Sequence, residues 1–381
     1  MKPSLYFDYA AATPMDPAVA SVMQPYFTDK FFNPSATYLA AQQIKKDLDA
    51  ARAGIAGWLG VRPSEIVFTA GGTEANNLAV HGVLRQFPDG NIITSAIEHE
   101  SVLQPASQYA HKQAPVSADG IIDVPKLRAL IDDQTVLVSV MYANNEVGSV
   151  QPIRQIGLAL QEIRRDRRTR GVELPLYLHT DACQAAAYLD LHTARLGVDL
   201  LTLNAGKIYG PKQCGALFVS SRVRLRPDIV GGGQERNLRS GTENVAGAIG
   251  FATALDLVQT RRHEEGERLH RLQKLFIDEL QKNLPEAVVN GTQKTRLPNN
   301  VHITLPGQDN ERLLMALDEA GILCAAGSAC SASSDEPSHV LRAMGLSDDD
   351  ARASLRFTMG RQTDEAAVRQ AIAALVRTAR S

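Results

Sequence analysis

The chain of 381 residues balances 40 Lys and Arg against 42 Asp and Glu, so no sequence-wide field favours nucleic acid or an anionic membrane. At 44% hydrophobic it can bury a large core and should contain more than one domain or subdomain. No apolar run is long enough to span a bilayer, Met1–Asp8 lacks the apolar core of a signal peptide, and the four cysteines form neither a disulfide framework nor a CxxC zinc site, so a cytosolic, reducing setting is expected.

Strand-like and helix-like segments alternate from about residue 37 to 220. Tyr38–Leu59 has helical periodicity, Glu65–Ala70 reads as a strand, Glu74–Leu84 as a helix, Asn91–Ser95 as a strand and Ser101–His111 as a helix. Thr135–Met141 is a continuous apolar strand, followed by a helix over Ile153–Arg165 whose continuation, Arg164–Arg170, reads as a solvated helix end. Leu174–His179, Val198–Leu203 and Ala216–Ser220 complete the strands of this part. Strands this apolar, alternating with amphipathic helices, predict an α/β fold with a mostly parallel sheet covered by helices on both faces. One long helix is expected from about Asn244 to Leu284, then strand Asn300–Leu305, helix Glu311–Glu319, strand Ser354–Met359 and a terminal helix. That tail predicts a smaller α+β domain. The expected division is a large domain of residues 15–260 and a small one of residues 1–14 and 261–381.

In an open α/β sheet, ligands bind where strands end and helices begin. Ile66–Asn76 contains such a junction. Gly71 and Gly72 allow close backbone approach, and Thr73 either receives a phosphate at the helix N-terminus or simply caps the helix. Leu178–Gln184 places Asp181 just past a strand, where a carboxylate can join His179 on a metal, activate a base, pair with a protonated ring nitrogen, or cap a helix. Leu203–Pro211 places Lys207 at the end of another strand. It is either a surface lysine or, in a dry pocket, an amine able to form a Schiff base. The Walker pattern does not fit, because no Ser or Thr follows the lysine. Together a phosphate cradle, an aspartate and a lysine on successive strand ends are the parts pyridoxal phosphate needs.

Cys330 lies in Ala325-Ala-Gly-Ser-Ala-Cys-Ser-Ala-Ser-Ser334, ahead of a helix over Ser338–Met344. A run so small and so poor in apolar partners reads either as an inconsequential loop or as a tether for a reactive thiol.

Thr73-Glu-Ala-Asn-Asn77, Glu98-His99, Asn144-Asn-Glu-Val-Gly148, Thr180-Asp-Ala-Cys-Gln184, Lys207-Ile-Tyr-Gly-Pro211, Arg239-Ser-Gly-Thr242, Gly327-Ser-Ala-Cys330 and Leu355–Arg361 together resemble the NifS/IscS-type cysteine desulfurases, a class V aminotransferase branch of fold type I. The resemblance opens at Tyr6–Pro14 and runs to the last helix. It implies a PLP-dependent transferase fold, pyridoxal 5'-phosphate as cofactor, a homodimer, and conversion of L-cysteine to L-alanine with sulfur left on Cys330 as a persulfide. By the same resemblance Lys207 holds the cofactor aldehyde and moves protons, Asp181 pairs with the pyridine nitrogen, and Gln184 meets the ring hydroxyl. His99 stacks on the ring as an acid–base group, and Asn145 also contacts the cofactor. Thr73 and Asn204 bind the phosphate, and Thr242 reaches the phosphate of the neighbouring subunit. Arg356, Asn145 and Asn33 hold the substrate, the guanidinium gripping its carboxylate in a bidentate fashion. The sulfur passes to an acceptor protein such as an iron–sulfur scaffold. Cys324 is expected in a buried strand, Cys183 beside the cofactor without a chemical role, and Cys214 in a structural role.

Two departures stand out. Members of the family usually read Ser-x-His-Lys before the lysine, with Ser and His directed at the phosphate; here the stretch is Asn204-Ala-Gly-Lys207. Housekeeping members often continue past the final helix with a segment that docks the scaffold, whereas this sequence stops at Ala379-Arg-Ser381. The rival readings are a selenocysteine lyase or another aminotransferase on the same fold, and a non-catalytic sulfur-relay subunit that has lost its cofactor. The Asn204/Gly206 pair favours the last, and the intact Lys207, Asp181 and His99 oppose it.

Overall fold

A computed structural model describes residues 4–327 and 336–380 of the chain. Seven strands form the main sheet: β1 (Ile66–Thr69), β2 (Asn91–Ser95), β3 (His111–Ala114), β4 (Thr135–Ser139), β5 (Tyr177–Asp181), β6 (Leu200–Asn204) and β7 (Gly215–Val219). Their order across the sheet is β1-β7-β6-β5-β4-β2-β3. Only β7 runs against the others, pairing antiparallel with β1 and β6. The central strands are buried throughout, as a sheet covered on both faces requires.

The helices follow their apolar stripes. α1 (Leu39–Leu59) buries Ile44, Leu48, Ile55 and Leu59 along one face, while α2 (Gly72–Gln86) and α3 (Glu100–Ala106) follow β1 and β2 directly. α4 (Ile153–Thr169) precedes β5, and its basic last turn includes Arg167, which is buried and donates to the carbonyls of Asp132 and Thr135. The expectation of a merely solvated basic end therefore fails at that residue.

The long helix expected over Asn244–Leu284 is two helices, α5 (Val245–Thr260) and α6 (Arg262–Asn283), which meet at Arg261. The first is apolar on nearly every side and the second amphipathic, so each answers to a different core. β8 (Val288–Val289), β9 (Asn300–Thr304) and β10 (Ser354–Thr358) make a second, antiparallel sheet. α7 (Asn310–Glu319) and α8 (Glu365–Ala379) complete this part of the chain. Phe7, Phe276 and Phe357 fill its core, with ring centroids 5.0 to 6.5 Å apart. Truncating fully buried Phe276 to Ala should cost about 3–5 kcal/mol.

Two further corrections concern edges. The helix expected over Ser101–His111 ends at Ala106, one residue after Pro105, and His111–Ala114 is the edge strand β3. An edge strand is covered on one side only, so it carries none of the continuous apolar signal of a central strand. Leu5–Tyr6 pairs in parallel with Ile322–Leu323, and Cys324 sits just past that short strand, partly buried instead of inside it. Among the described residues no helix is long and apolar enough to cross a membrane.

Candidate active site

The parallel strands of the main sheet deliver their C-terminal ends to one cavity. Thr73 arrives after β1, His99 after β2, Asn145 after β4, Asp181 at the end of β5, and Asn204 and Lys207 at the end of β6. Gln184 and, from β10 of the second sheet, Arg356 complete the set of expected residues in this wall.

Each side chain has a local reason for its place. Gly71 is the N-cap of α2 at φ 135°, a conformation that only glycine adopts readily, and it offers no side-chain cap. A Cβ on Gly72 would lie 2.9 Å from Cys183 Sγ. Thr73 is thus the second residue of the helix, not its cap, and the first-turn amides are left for a ligand. Asp181 is held at both oxygens: Oδ1 accepts from the Cys183 amide at 2.9 Å and Oδ2 from Asn76 Nδ2 at 2.7 Å. His179 beside it is no metal ligand. Its ring nitrogens lie 2.8 Å from Ser139 Oγ and 3.0 Å from Thr202 Oγ1, and burial pushes its pKa down to about 4. Among the described residues no cluster of His, Cys, Asp and Glu is suited to a metal.

His99 lines the cavity and also caps α3, accepting from the Ser101 amide at 3.0 Å through Nδ1. Burial lowers its pKa, against the opposing pull of Asp181. Behind it the fully buried Glu98 accepts from the Met141 amide at 2.6 Å, and desolvation raises its carboxyl well above the usual range. Lys207 Nζ donates to the carbonyls of Ala10 at 2.9 Å and Ala11 at 2.7 Å, and Gln184 Nε2 also reaches Ala10 O at 2.9 Å. Arg356 donates through Nη1 to Asn145 O at 3.0 Å and through Nη2 to Asp8 Oδ1 at 2.6 Å. Asn204 Oδ1 accepts from the Gly206 amide at 3.0 Å, which closes the turn carrying Lys207.

Two expected residues lie elsewhere, and a third is outside the described residues. Asn33 is exposed and its Oδ1 accepts from the Ser35 amide, outside the cavity wall. Thr242 borders a different cavity with Arg239, Glu243 and the buried Glu235. Cys330 falls outside the described residues. Conversely, Asp8, Asn76 and Ser101 stand in the network with no role read from the sequence, although Asp8 and Asn76 lie inside the quoted motifs. Nothing in residue type alone distinguishes Asn76 from its neighbour Asn77.

The aminotransferase class-V family model matches residues 5–370. The chain belongs to the class V aminotransferase family. It is 39% identical over 370 residues to a Dictyoglomus turgidum protein named "Cysteine desulfurase IscS", covering 95% of this chain and 91% of that one. An Archaeoglobus fulgidus relative, "Cysteine desulfurase IscS 1", is 40% identical over 94% of this chain and 93% of its own. The solved NifS-like protein of Rickettsia africae superposes with a TM-score of 0.88 at 31% identity, over 99% of this chain and 100% of that one. This class V enzyme is a pyridoxal phosphate-dependent cysteine desulfurase on the fold type I scaffold.

The residues present fit that cofactor. The cavity offers an amine, an acceptor-only carboxylate and an uncapped helix N-terminus. Asn76 Oδ1 and Arg356 Nε are buried in residues of its wall without a partner among the described residues, as groups awaiting a polar ligand are.

Proposed function

We propose that this class V enzyme converts L-cysteine to L-alanine in the cavity of Lys207, Asp181, His99 and Arg356, and leaves the sulfur on Cys330. The observation that carries the reading is the convergence of these four side chains, from β5, β10 and the segments after β2 and β6, on one wall.

When bound, pyridoxal phosphate supplies the electron sink for the charge left as the substrate loses its α proton. The chain supplies the rest. Lys207 Nζ holds the aldehyde and carries protons at the substrate. Asp181, kept acceptor-only by its two donors, holds a proton on the ring nitrogen, and Gln184 binds the ring hydroxyl. Thr73, the α2 amides and Asn204 take the phosphate. His99, which burial favours in its neutral form, is suited to proton exchange and to stacking without charge. Arg356 and Asn145 hold the substrate carboxylate. The Cys330 thiolate attacks the substrate sulfur, the carbon–sulfur bond breaks, and the carbon is reprotonated to alanine. A persulfide remains, by the same nucleophilic chemistry as disulfide exchange.

The ends of the segment that carries Cys330 support this assignment. The Ala325 backbone pairs with Arg356, its amide donating at 3.1 Å and its carbonyl accepting at 2.6 Å. On the return Ser338 Oγ donates to Glu146 Oε2 at 2.6 Å.

A homodimer fits the positions of Thr242 and Asn33 outside their own chain's cavity. It fits also the exposed aromatic cluster in which Phe31 stacks on Phe32 at 4.5 Å and Phe32 meets Tyr38 edge-on. The break at Arg261 fits a division into residues 15–260 and a small domain of residues 1–14 and 261–381. The product persulfide would be delivered to a sulfur-acceptor protein such as an iron–sulfur scaffold.

The test is to load the protein with pyridoxal phosphate, add L-cysteine and dithiothreitol, which reduces the persulfide and frees its outer sulfur as sulfide, and measure alanine and sulfide for wild type and Cys330→Ser. Alanine in step with sulfide, lost in the variant, is expected. Undiminished turnover in Cys330→Ser would remove the persulfide step, and a colourless, inactive protein would favour a relay subunit.

A further inference from the structure

One side-chain amide links the two groups that flank the cavity floor. Asn76, from the first turns of α2 and 1% exposed, divides the two protons of its Nδ2 between Asp181 Oδ2 at 2.7 Å and Ser101 Oγ at 2.8 Å. The Asn76 nitrogen faces Asp181, whose other oxygen accepts from the Cys183 amide at 2.9 Å, so both carboxyl oxygens are engaged as acceptors. Ser101 Oγ, already accepting from Asn76, has one proton of its own to donate, and His99 Nδ1 lies 2.8 Å away. His99 Nδ1 accepts in addition from the Ser101 amide at 3.0 Å. The order of donation thus runs from Asn76 outward: to Asp181 on one side, and through Ser101 to His99 on the other.

We propose that Asn76 is a positioning residue that orients the Asp181 carboxylate and, through the Ser101 hydroxyl, keeps His99 neutral with its proton on Nε2. The roles of Asp181 and His99 toward the cofactor rest on the function proposed above; the hydrogen-bond chain does not. To become an imidazolium, His99 must place a proton on Nδ1 and so give up two donors. Removing the amide frees the Ser101 hydroxyl to turn and accept, which makes that protonation cheaper. Outer-shell partners that orient metal-binding histidines change activity by about 10–100-fold, which sets the scale for an orienting residue here. The charged and titratable groups that face His99 are Asp181, Glu100, Lys207 and His339, with buried Glu98 preceding it in the chain.

The experiment is to titrate histidine-labelled full-length protein by nitrogen-15 NMR, with His99→Gln used to assign the His99 signal, and to repeat it for Asn76→Leu, Ser101→Ala and Ser101→Thr. Wild type should show His99 protonated on Nε2. In Asn76→Leu and Ser101→Ala its pKa should rise by about one unit, the worth of one hydrogen bond, and Ser101→Thr should restore it. Loaded with pyridoxal phosphate, Asn76→Leu should lose about 10–100-fold in kcat with little change in KM. Asn76→Asp, whose carboxyl would face Asp181, should be poorest at neutral pH and recover as the pH falls, because protonation recreates a donor. A folded Asn76→Leu with an unshifted His99 titration would overturn the proposal; were that variant unfolded, an unshifted titration in Ser101→Ala would do the same. Normal turnover in His99→Gln would instead remove the functional role of His99 while leaving the NMR result intact.

Discussion

Arg356, in the cavity wall, forms a salt bridge with Asp8, Nη2 donating to Oδ1 at 2.6 Å across 348 residues of chain. The guanidinium is 1% exposed and the carboxylate 19%, so the pair is largely shielded from water and fixes the orientation of the guanidinium in the cavity wall.

Removing Asp8 leaves a buried charge without its partner. Asp8→Ala should destabilise the fold by about 3 kcal/mol. Arg356→Lys should keep the charge but lose the fork, raising KM for L-cysteine roughly ten- to hundredfold. Thermal melts and initial-rate kinetics check both. An unchanged KM in Arg356→Lys would take the substrate carboxylate away from Arg356.

Gly206 stands where the sequence resemblance leads one to expect a histidine. A Cβ there would lie 3.1 Å from Lys212 Cδ and 3.4 Å from Asn204 Oδ1, so a side chain fits once the flexible lysine stem shifts. Gly206→His should bind pyridoxal phosphate roughly ten- to hundredfold more tightly by adding a charge-assisted contact. Equilibrium dialysis measures it, and equal or weaker binding would show that the backbone already supplies that contact.

Burial raises the thiol pKa of Cys183, and takes those of Cys214 and Cys324 up to about 12. The thiolate is the reactive form, so these three should resist alkylation at neutral pH. Brief iodoacetamide treatment followed by peptide mass spectrometry should find Cys330 labelled first. Labelling of Cys183 or Cys324 ahead of it would contradict the assignment.

His179 is buried and neutral, with a pKa near 4 in the fold against 6.5 in a free chain, and His302 is lowered to about 3. The unfolded chain therefore binds protons first on acidification. The stability that these groups contribute is complete above about pH 6.5 and is lost as the pH falls toward 4, about 3 kcal/mol for His179. Chemical denaturation at a series of pH values should show this decline, and His179→Gln should flatten it. Equal slopes in both proteins would mean that water reaches the ring.

The apolar runs at Thr135–Ser139 and Leu200–Asn204 were legible as central strands because burial on both faces imposes an unbroken hydrophobic run. The edge strand His111–Ala114 was not legible, since half its environment is solvent. Thr73, Asp181 and Lys207 could be read as site residues because each follows or ends a strand, and one end of a parallel sheet gathers those positions, whereas His99 came only with the family resemblance.

Taken alone, the sequence determined the residue chemistry and its order along the strands: an amine, a carboxylate, a glycine-led helix end and a thiol among small residues. Periodicity and residue type are local properties, written within a few positions. Only the tertiary structure decided which polar atoms meet: Asn76 with Ser101 and Asp181, 25 and 105 residues away, and Asp8 with Arg356. The same folding kept Asn33 and Thr242 outside the cavity. Such partnerships follow from the need to satisfy every buried donor and acceptor, and that need exists only once the chain has closed water out.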